Sequence, residues 1–151
     1  MNPTKPAIEF EFTRVIDAPR ERVYEAWTKQ EQIVKWFAPK PFQLIVNQMD
    51  FRPGGKFAMA MRGPNGEDFP FTGTYREIVP PAKLSWNGEF QGDPADNILT
   101  VVTFEEVGSK TKVHARQTFY VITPTVKHAS AGAKQGWTMT LNQLAEVCES
   151  R

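Results

Sequence analysis

From Phe42 to Ile122 the chain passes through apolar stretches separated by turn residues, and a long helical stripe follows only after them. This order narrows the fold more than any other feature. Strands joined by short turns pair with their neighbours in sequence, which predicts one antiparallel meander. The alternation places strands at Phe42 to Phe51, Lys56 to Arg62, Phe69 to Val79, Lys83 to Asn87, Asn97 to Val107 and Thr111 to Ile122. Between them stand Pro53-Gly54-Gly55, Gly63-Pro64-Asn65-Gly66, Pro80-Pro81 and Gly108-Ser109, all turn signals. The stretch Asp50 to Phe57 is the most strongly marked. Pro53 presets φ, and Gly54 and Gly55 accept the positive φ of a tight turn. Phe57, just past the turn, is expected to point inward toward Trp137.

The flanking segments complete the architecture. Ile8 to Ile16 alternates and reads as a first strand. Pro19 suits the first helical position, and Val23, Ala26 and Trp27 recur on one face of a short helix. Thr28 and Glu31 have capping-box spacing and predict a second short helix carrying Ile33, Val34, Trp36 and Phe37. Pro39 and Pro41 end it. The last element is predicted from about Ser130 to Cys148, with Ala133, Trp137, Thr140, Leu141, Leu144 and Val147 at helical spacing. Gly132 and Gly136 each cost that helix about 0.5–1 kcal/mol relative to alanine. Close approach of the helix backbone to the sheet is the expected compensation. Strand, two short helices, a meander and a long helix make an α+β, helix-grip fold of six to seven strands. A sheet bent around one helix does not readily fill its own interior, so a cavity between sheet and C-terminal helix is expected.

The 151 residues fit a single domain, 1–151, with a core over about 8–148. The net charge of +1 gives no electrostatic footprint for nucleic acid. Basic residues are scattered, and no apolar stretch reaches the roughly 18 residues of a membrane span. Cys148 stands alone, so no internal disulfide forms and a reducing cytoplasmic location is expected. Met1 to Pro6 is polar and proline-bearing, unlike a secretion signal.

Catalytic and cofactor signatures are missing. There is no Gly-x-Ser-x-Gly, phosphate loop, dinucleotide fingerprint or His-Glu-x-x-His. His114 and His128 are too few and too far apart to make a metal site with Cys148. His114 is out of phase with Val113 and Ala115 and is expected at the solvent face. Ser85 and Ser109 show no base partner. Asp50 and Arg52 share a strand face, as an ion pair beside the turn or as a charged rim. Tyr75, Glu77 and Gly73 also share a face. If it is the inner one, Glu77 is a buried carboxylate that needs Arg52 or Arg76. No catalytic residue, cofactor or metal is therefore assigned. The candidate site is the interior. From the strands, Phe57, Met59, Met61, Phe71, Tyr75, Glu77, Trp86, Phe104 and Phe119 are expected to line it. From the helical segments, Trp36, Phe37, Trp137 and Leu141 join them. Aromatic rings with flexible methionines suit an apolar ligand.

Several short motifs carry a family resemblance, in order, along residues 9–148. They are Ile16-Asp17-Ala18-Pro19, Val23 to Thr28, Lys35-Trp36-Phe37-Ala38-Pro39 and Asp50-Phe51-Arg52-Pro53-Gly54-Gly55. Further along come Gly73-Thr74-Tyr75-Arg76-Glu77-Ile78, Pro80-Pro81-Ala82-Lys83-Leu84, Thr103-Phe104, Thr111-Lys112-Val113 and Gly136-Trp137. In this arrangement the chain resembles the START/SRPBCC superfamily. Within it, the chain is similar to the small proteins related to the C-terminal domain of the activator of the heat-shock-protein-90 ATPase. Phe37 departs from the pattern, since relatives often carry a second tryptophan there. Thr123 to Ala129 looks shorter and less acidic than in many relatives. The resemblance implies non-catalytic binding of a small hydrophobic or amphipathic molecule. An alternative it also implies is a co-chaperone-like interaction module, with a chaperone partner or self-association. A full-length co-chaperone of that kind has an extra N-terminal domain, for which this chain has no room. A third implication is a cyclase- or hydrolase-like enzyme using the cavity.

Overall fold

Alternating side chains build the sheet, and the computed structural model describes it over residues 8–89, 98–120 and 124–149. The strands are β1 (Ile8–Ile16), β2 (Gln43–Met49), β3 (Lys56–Arg62), β4 (Asp68–Val79), β5 (Lys83–Glu89), β6 (Ile98–Val107) and β7 (Lys110–Phe119). The helices are α1 (Arg20–Thr28), α2 (Gln30–Ile33) and α3 (Pro124–Glu149). Among the described residues the sheet has seven strands in the order β1-β7-β6-β5-β4-β3-β2, each pair antiparallel. β2 to β7 are the expected meander. β1 closes it from the far side, pairing with β7 from Ile8↔Phe119 to Ile16↔Thr111. This is the helix-grip fold. No helix among the described residues is long and apolar enough to cross a membrane.

The tight turn has the geometry its residues predict. The Gly55 N–H donates to the Arg52 carbonyl at 2.8 Å, with Pro53 and Gly54 between them. Gly54 has φ +81°, as the third residue of a type II turn requires. The turn is also fastened to β4, because the Gly54 N–H donates to the Tyr75 carbonyl and the Tyr75 N–H to the Gly55 carbonyl. Asp50 and Arg52 form an exposed ion pair at 2.9 Å, a contact worth about 0–1 kcal/mol. His114 sits across the β1–β7 pair from Glu11, its Nε2 2.9 Å from Oε1.

Other expectations need correction. α3 begins at Pro124, six residues before the expected Ser130. Proline suits a helix's first turn, and nothing from Thr125 to Ala129 breaks one. A Cβ at Gly136 would meet nothing within 4 Å, so close approach does not explain that glycine. The surroundings of Gly132 and the side chain of His128 lie outside the described residues, as do Asn97 and Val121 to Thr123. Thr28 is the last residue of α1 and not a cap; its hydroxyl donates back to the Glu25 carbonyl at 3.5 Å. α2 stops at Ile33, and the chain continues through turns to Trp36 and Phe37, whose N–H groups both donate to the Ile33 carbonyl.

Phe57 turns inward, onto the rings of Tyr75 at 5.2 Å and Phe71 at 6.2 Å rather than toward Trp137. Its ring lies over Gly73, the residue opposite on β4. A Cβ on Gly73 would collide with that ring and with the Asn87 carbonyl oxygen. Gly73→Ala is therefore expected to destabilise the protein by about 1–3 kcal/mol in urea unfolding. A change below about 0.5 kcal/mol, the scale of a neutral surface substitution, would show that the close packing is not required.

Candidate functional site

Where α1 and α2 meet strands β3 to β5, the structure leaves a cavity of about 30 Å³. Its walls are Trp27, Ile33, Phe37, Phe57, Met59, Phe71, Tyr75, Leu84 and Trp86. The register explains the grouping. Met59 stands opposite Phe71, and Tyr75 opposite Trp86, so alternation delivers their side chains to one face. Phe37, Phe71 and Trp86 are only half-buried and form the rim.

Alternation fails twice in the sheet, once after Val46 in β2 and once in this wall. Tyr75 pairs with Trp86, but the next aligned pair is Ile78 with Leu84. β4 thus carries one extra residue, a β-bulge. Both Arg76 and Glu77 are exposed as a result. Glu77, expected on the inner face with Tyr75, is not in the cavity. Its carboxylate meets Lys83 Nζ at 2.9 Å outside, and its backbone N–H donates to the Ser85 hydroxyl at 3.1 Å. Neither Arg52 nor Arg76 is its partner.

Six of the expected lining residues surround this cavity: Phe37, Phe57, Met59, Phe71, Tyr75 and Trp86. The others lie elsewhere. Trp36 packs edge-on against Trp27 at 4.6 Å and donates its Nε1–H to the Ala26 carbonyl. Met61 is further along β3, between Leu44 and Phe69. Phe104 sits behind Trp27, against Tyr24 at 5.1 Å. Phe119 joins Ile98 in a separate cluster. Trp137 stacks on Phe12 at 5.8 Å and lies 6.3 Å from Trp27, and it donates its Nε1–H to Gln117 Oε1. Leu141 is buried beside it on α3. The cavity lies against α1 and α2 rather than against the C-terminal helix. Trp137 packs against Phe12, Trp27 and Phe37, and no described α3 side chain lines the cavity. Trp27, Ile33 and Leu84 were not expected in the walls. They sit on apolar faces, and nothing local separates a wall residue from a core one.

α3 acts on the site indirectly. Gln143 is buried, and its Nε2 donates to the Trp36 and Ala38 carbonyls at 2.8 and 2.9 Å. Its Oε1 accepts the Lys40 N–H at 3.0 Å, and Thr140 Oγ1 reaches the Phe37 carbonyl at 3.5 Å. These bonds hold the backbone on both sides of Phe37, and so fix one rim of the cavity. The walls carry no charged group. Tyr75 is the one ionisable phenol there, and burial pushes its hydroxyl above the usual tyrosine range. It remains protonated at neutral pH. Among the described residues no three His, Cys, Asp or Glu side chains stand together as a metal site.

Gln143→Leu is expected to cost about 2–4 kcal/mol, because it leaves the Lys40 N–H and the Trp36 and Ala38 carbonyls unmatched. It should also speed amide exchange at Lys40; unchanged exchange would dismiss the clamp. A pH dependence follows as well. Burial pushes the Cys148 thiol from 9.0 up to about 11 and the Tyr24 phenol from 10.0 up to about 12. Burial disfavours the anion of each, so their stabilisation is complete below the ordinary values and is lost as pH climbs through the raised ones. The urea midpoint should therefore fall across pH 9 to 12. The phenolate absorption of Tyr24 and Tyr75 should emerge only as the protein unfolds.

Comparison with known proteins agrees with this architecture. The family model described as "Activator of Hsp90 ATPase homolog 1-like protein" matches residues 17–149. A crystal structure from Chromobacterium violaceum is similar with a TM-score of 0.82 at 27% identity, covering 95% of this chain and 99% of that one. A solution structure from Arthrobacter aurescens shares the fold with a TM-score of 0.84 at 24% identity, covering 96% and 88%. The AHSA1-like protein from Aeromonas hydrophila does so with a TM-score of 0.77 at 23% identity, covering 95% and 93%. No curated protein sequence matches the chain significantly. With most of its length matched by that model, the chain belongs to the family of activator of Hsp90 ATPase homolog 1-like proteins.

Proposed function

We propose that this protein binds a small hydrophobic or amphipathic molecule, without catalysis, in the cavity between α1–α2 and β3–β5. The observation that carries this reading is the wall itself. Aromatic rings, Met59, Ile33 and Leu84 face an unfilled space whose rim is half-exposed. Apolar surface of that kind favours apolar ligands. A space of about 30 Å³ holds about two water molecules, so a larger guest displaces rim side chains. Met59 is unbranched and repacks easily. A non-catalytic role fits the walls, because Tyr75 is too weak an acid to serve as a base near neutral pH. The buried free thiol of Cys148 fits a reducing cytoplasm.

Native mass spectrometry of the protein purified from its own host tests this reading, and a co-purified small apolar molecule is expected. Phe71→Arg places a charge at the rim and should weaken uptake at least tenfold, about 1.4 kcal/mol. A wild-type protein that carries no guest and takes up no apolar probe at millimolar concentration would remove it. The family description favours a second reading, an interaction module acting on a heat-shock-protein-90-type ATPase. Pull-down with such an ATPase distinguishes the two, and no capture at tens of micromolar counts against the second.

A further inference from the structure

Among the described residues the sheet has two open edges, and they differ. β2 forms one. Its ladder with β3 shifts register between Val46 and Gln48, and such a bulge spoils an edge as a template for another strand. β1 forms the other. Its nine residues pair with β7 without a shift, so its far edge is long and regular. In an antiparallel ladder alternate N–H and C=O groups point away from the partner, and no described strand receives those of β1. The inner face of β1 carries Ile8, Phe10, Phe12, Arg14 and Ile16. Phe12 and Ile16 are buried, and Trp137 of α3 stacks on Phe12. Arg14 is the one charge on that face. Its Nε–H is buried without an acceptor, and it forms no ion pair with a described residue. Its alkyl stem covers apolar surface, which an uncharged side chain does equally well. The guanidinium is therefore partly desolvated, and no described contact offsets that cost.

The strand is otherwise matched to itself. Consider it antiparallel to β1 of a second copy, inner face beside inner face and centred on Phe12. Ile8 then stands opposite Ile16, Phe12 opposite Phe12, Glu9 opposite Val15 and Glu11 opposite Thr13. Apolar inner residues meet apolar ones, and neither glutamate meets a like charge. Only the pairing of Phe10 with Arg14 spoils the match. A shifted register does not repair it, because the inner face of β1 has no carboxylate to set against Arg14; Glu9 and Glu11 lie on the other face. Pairing strips water from two guanidinium groups, one per copy, and the Phe10 ring returns only part of that loss. An inward-pointing charge blunts a sheet edge in this way. We propose that the free edge of β1 is a latent pairing surface for a second copy of this chain, and that Arg14 keeps it closed.

Arg14→Val tests this in the full chain, with sedimentation velocity for association and amide exchange by NMR for its location. The wild type is expected to stay monomeric up to millimolar concentration, with alternate β1 amides exchanging fast. Arg14→Val is expected to dimerise at least about a hundredfold more tightly, since pairing no longer buries two uncompensated charges. In that dimer the fast β1 amides become protected while those of β2 do not. Arg14→Lys keeps the charge and should remain monomeric. If Arg14→Val fails to fold, Arg14→Thr takes its place, uncharged and also suited to a strand. A monomeric uncharged variant overturns the inference, as does protection that arises away from β1. So does a lysine variant that dimerises as tightly as the valine one, or a wild type already paired through β1. Failure of both uncharged variants to fold makes Arg14 a residue of the monomer's own stability and overturns it too.

Discussion

The ring of Trp27 is the point on which the structure turns. It lies within 6.3 Å of the ring centres of Trp36, Phe37, Trp86, Phe104 and Trp137. Those rings come from the segment after α2, from β5, from β6 and from α3. One side chain on a short helix therefore joins both helical layers to the sheet. Burying a large aromatic removes about 150–250 Å² from water and dominates the energetics of a core. The nine residues of α1 are too few to be stable alone, so this packing and not local propensity holds the helix in place.

Edge-on and tilted rings do not tile space as aliphatic side chains do. Trp27 meets Trp36 at 67°, Phe104 at 82° and Trp86 at 47°. Protein interiors are otherwise close-packed, and a void survives only where no side chain can reach it. Here it survives between Trp27 and the β3–β5 face. The Trp27 Nε1–H is left unmatched by the same cause. The packing that fixes the ring gives its nitrogen no acceptor.

Two backbone devices shape that void from opposite sides. The type II turn at Pro53-Gly54 is bonded to Tyr75 and fixes where β3 and β4 lie relative to each other. The bulge after Tyr75 then sends Glu77 to Lys83 at the surface and keeps the wall free of charge. On the far side, Gln143 of α3 holds the segment that bears Phe37. α3 reaches the sheet through Trp137 on Phe12, and bears on the cavity through Gln143, Thr140 and the Trp137 ring against Phe37.

The strands were legible because a period of two survives in the sequence wherever one face is buried, as at Phe57, Met59 and Met61. The turn at Pro53-Gly54 was legible because only certain residues accept its φ values. Six of the nine wall residues could be read from apolar faces, five of them by strand alternation and Phe37 from the segment after α2. Glu77 could not, since a bulge leaves no mark in Arg76-Glu77 that distinguishes it from plain alternation. Trp137 and Phe104 could not be separated from wall residues, because a core ring and a cavity ring have the same sequence signature. By itself the sequence determined which faces are apolar, where the backbone turns, and hence the helix-grip order of elements. Only the tertiary structure decided where space remains and which rings face it. Those depend on the angles between rings brought together from distant parts of the chain, which no local pattern encodes.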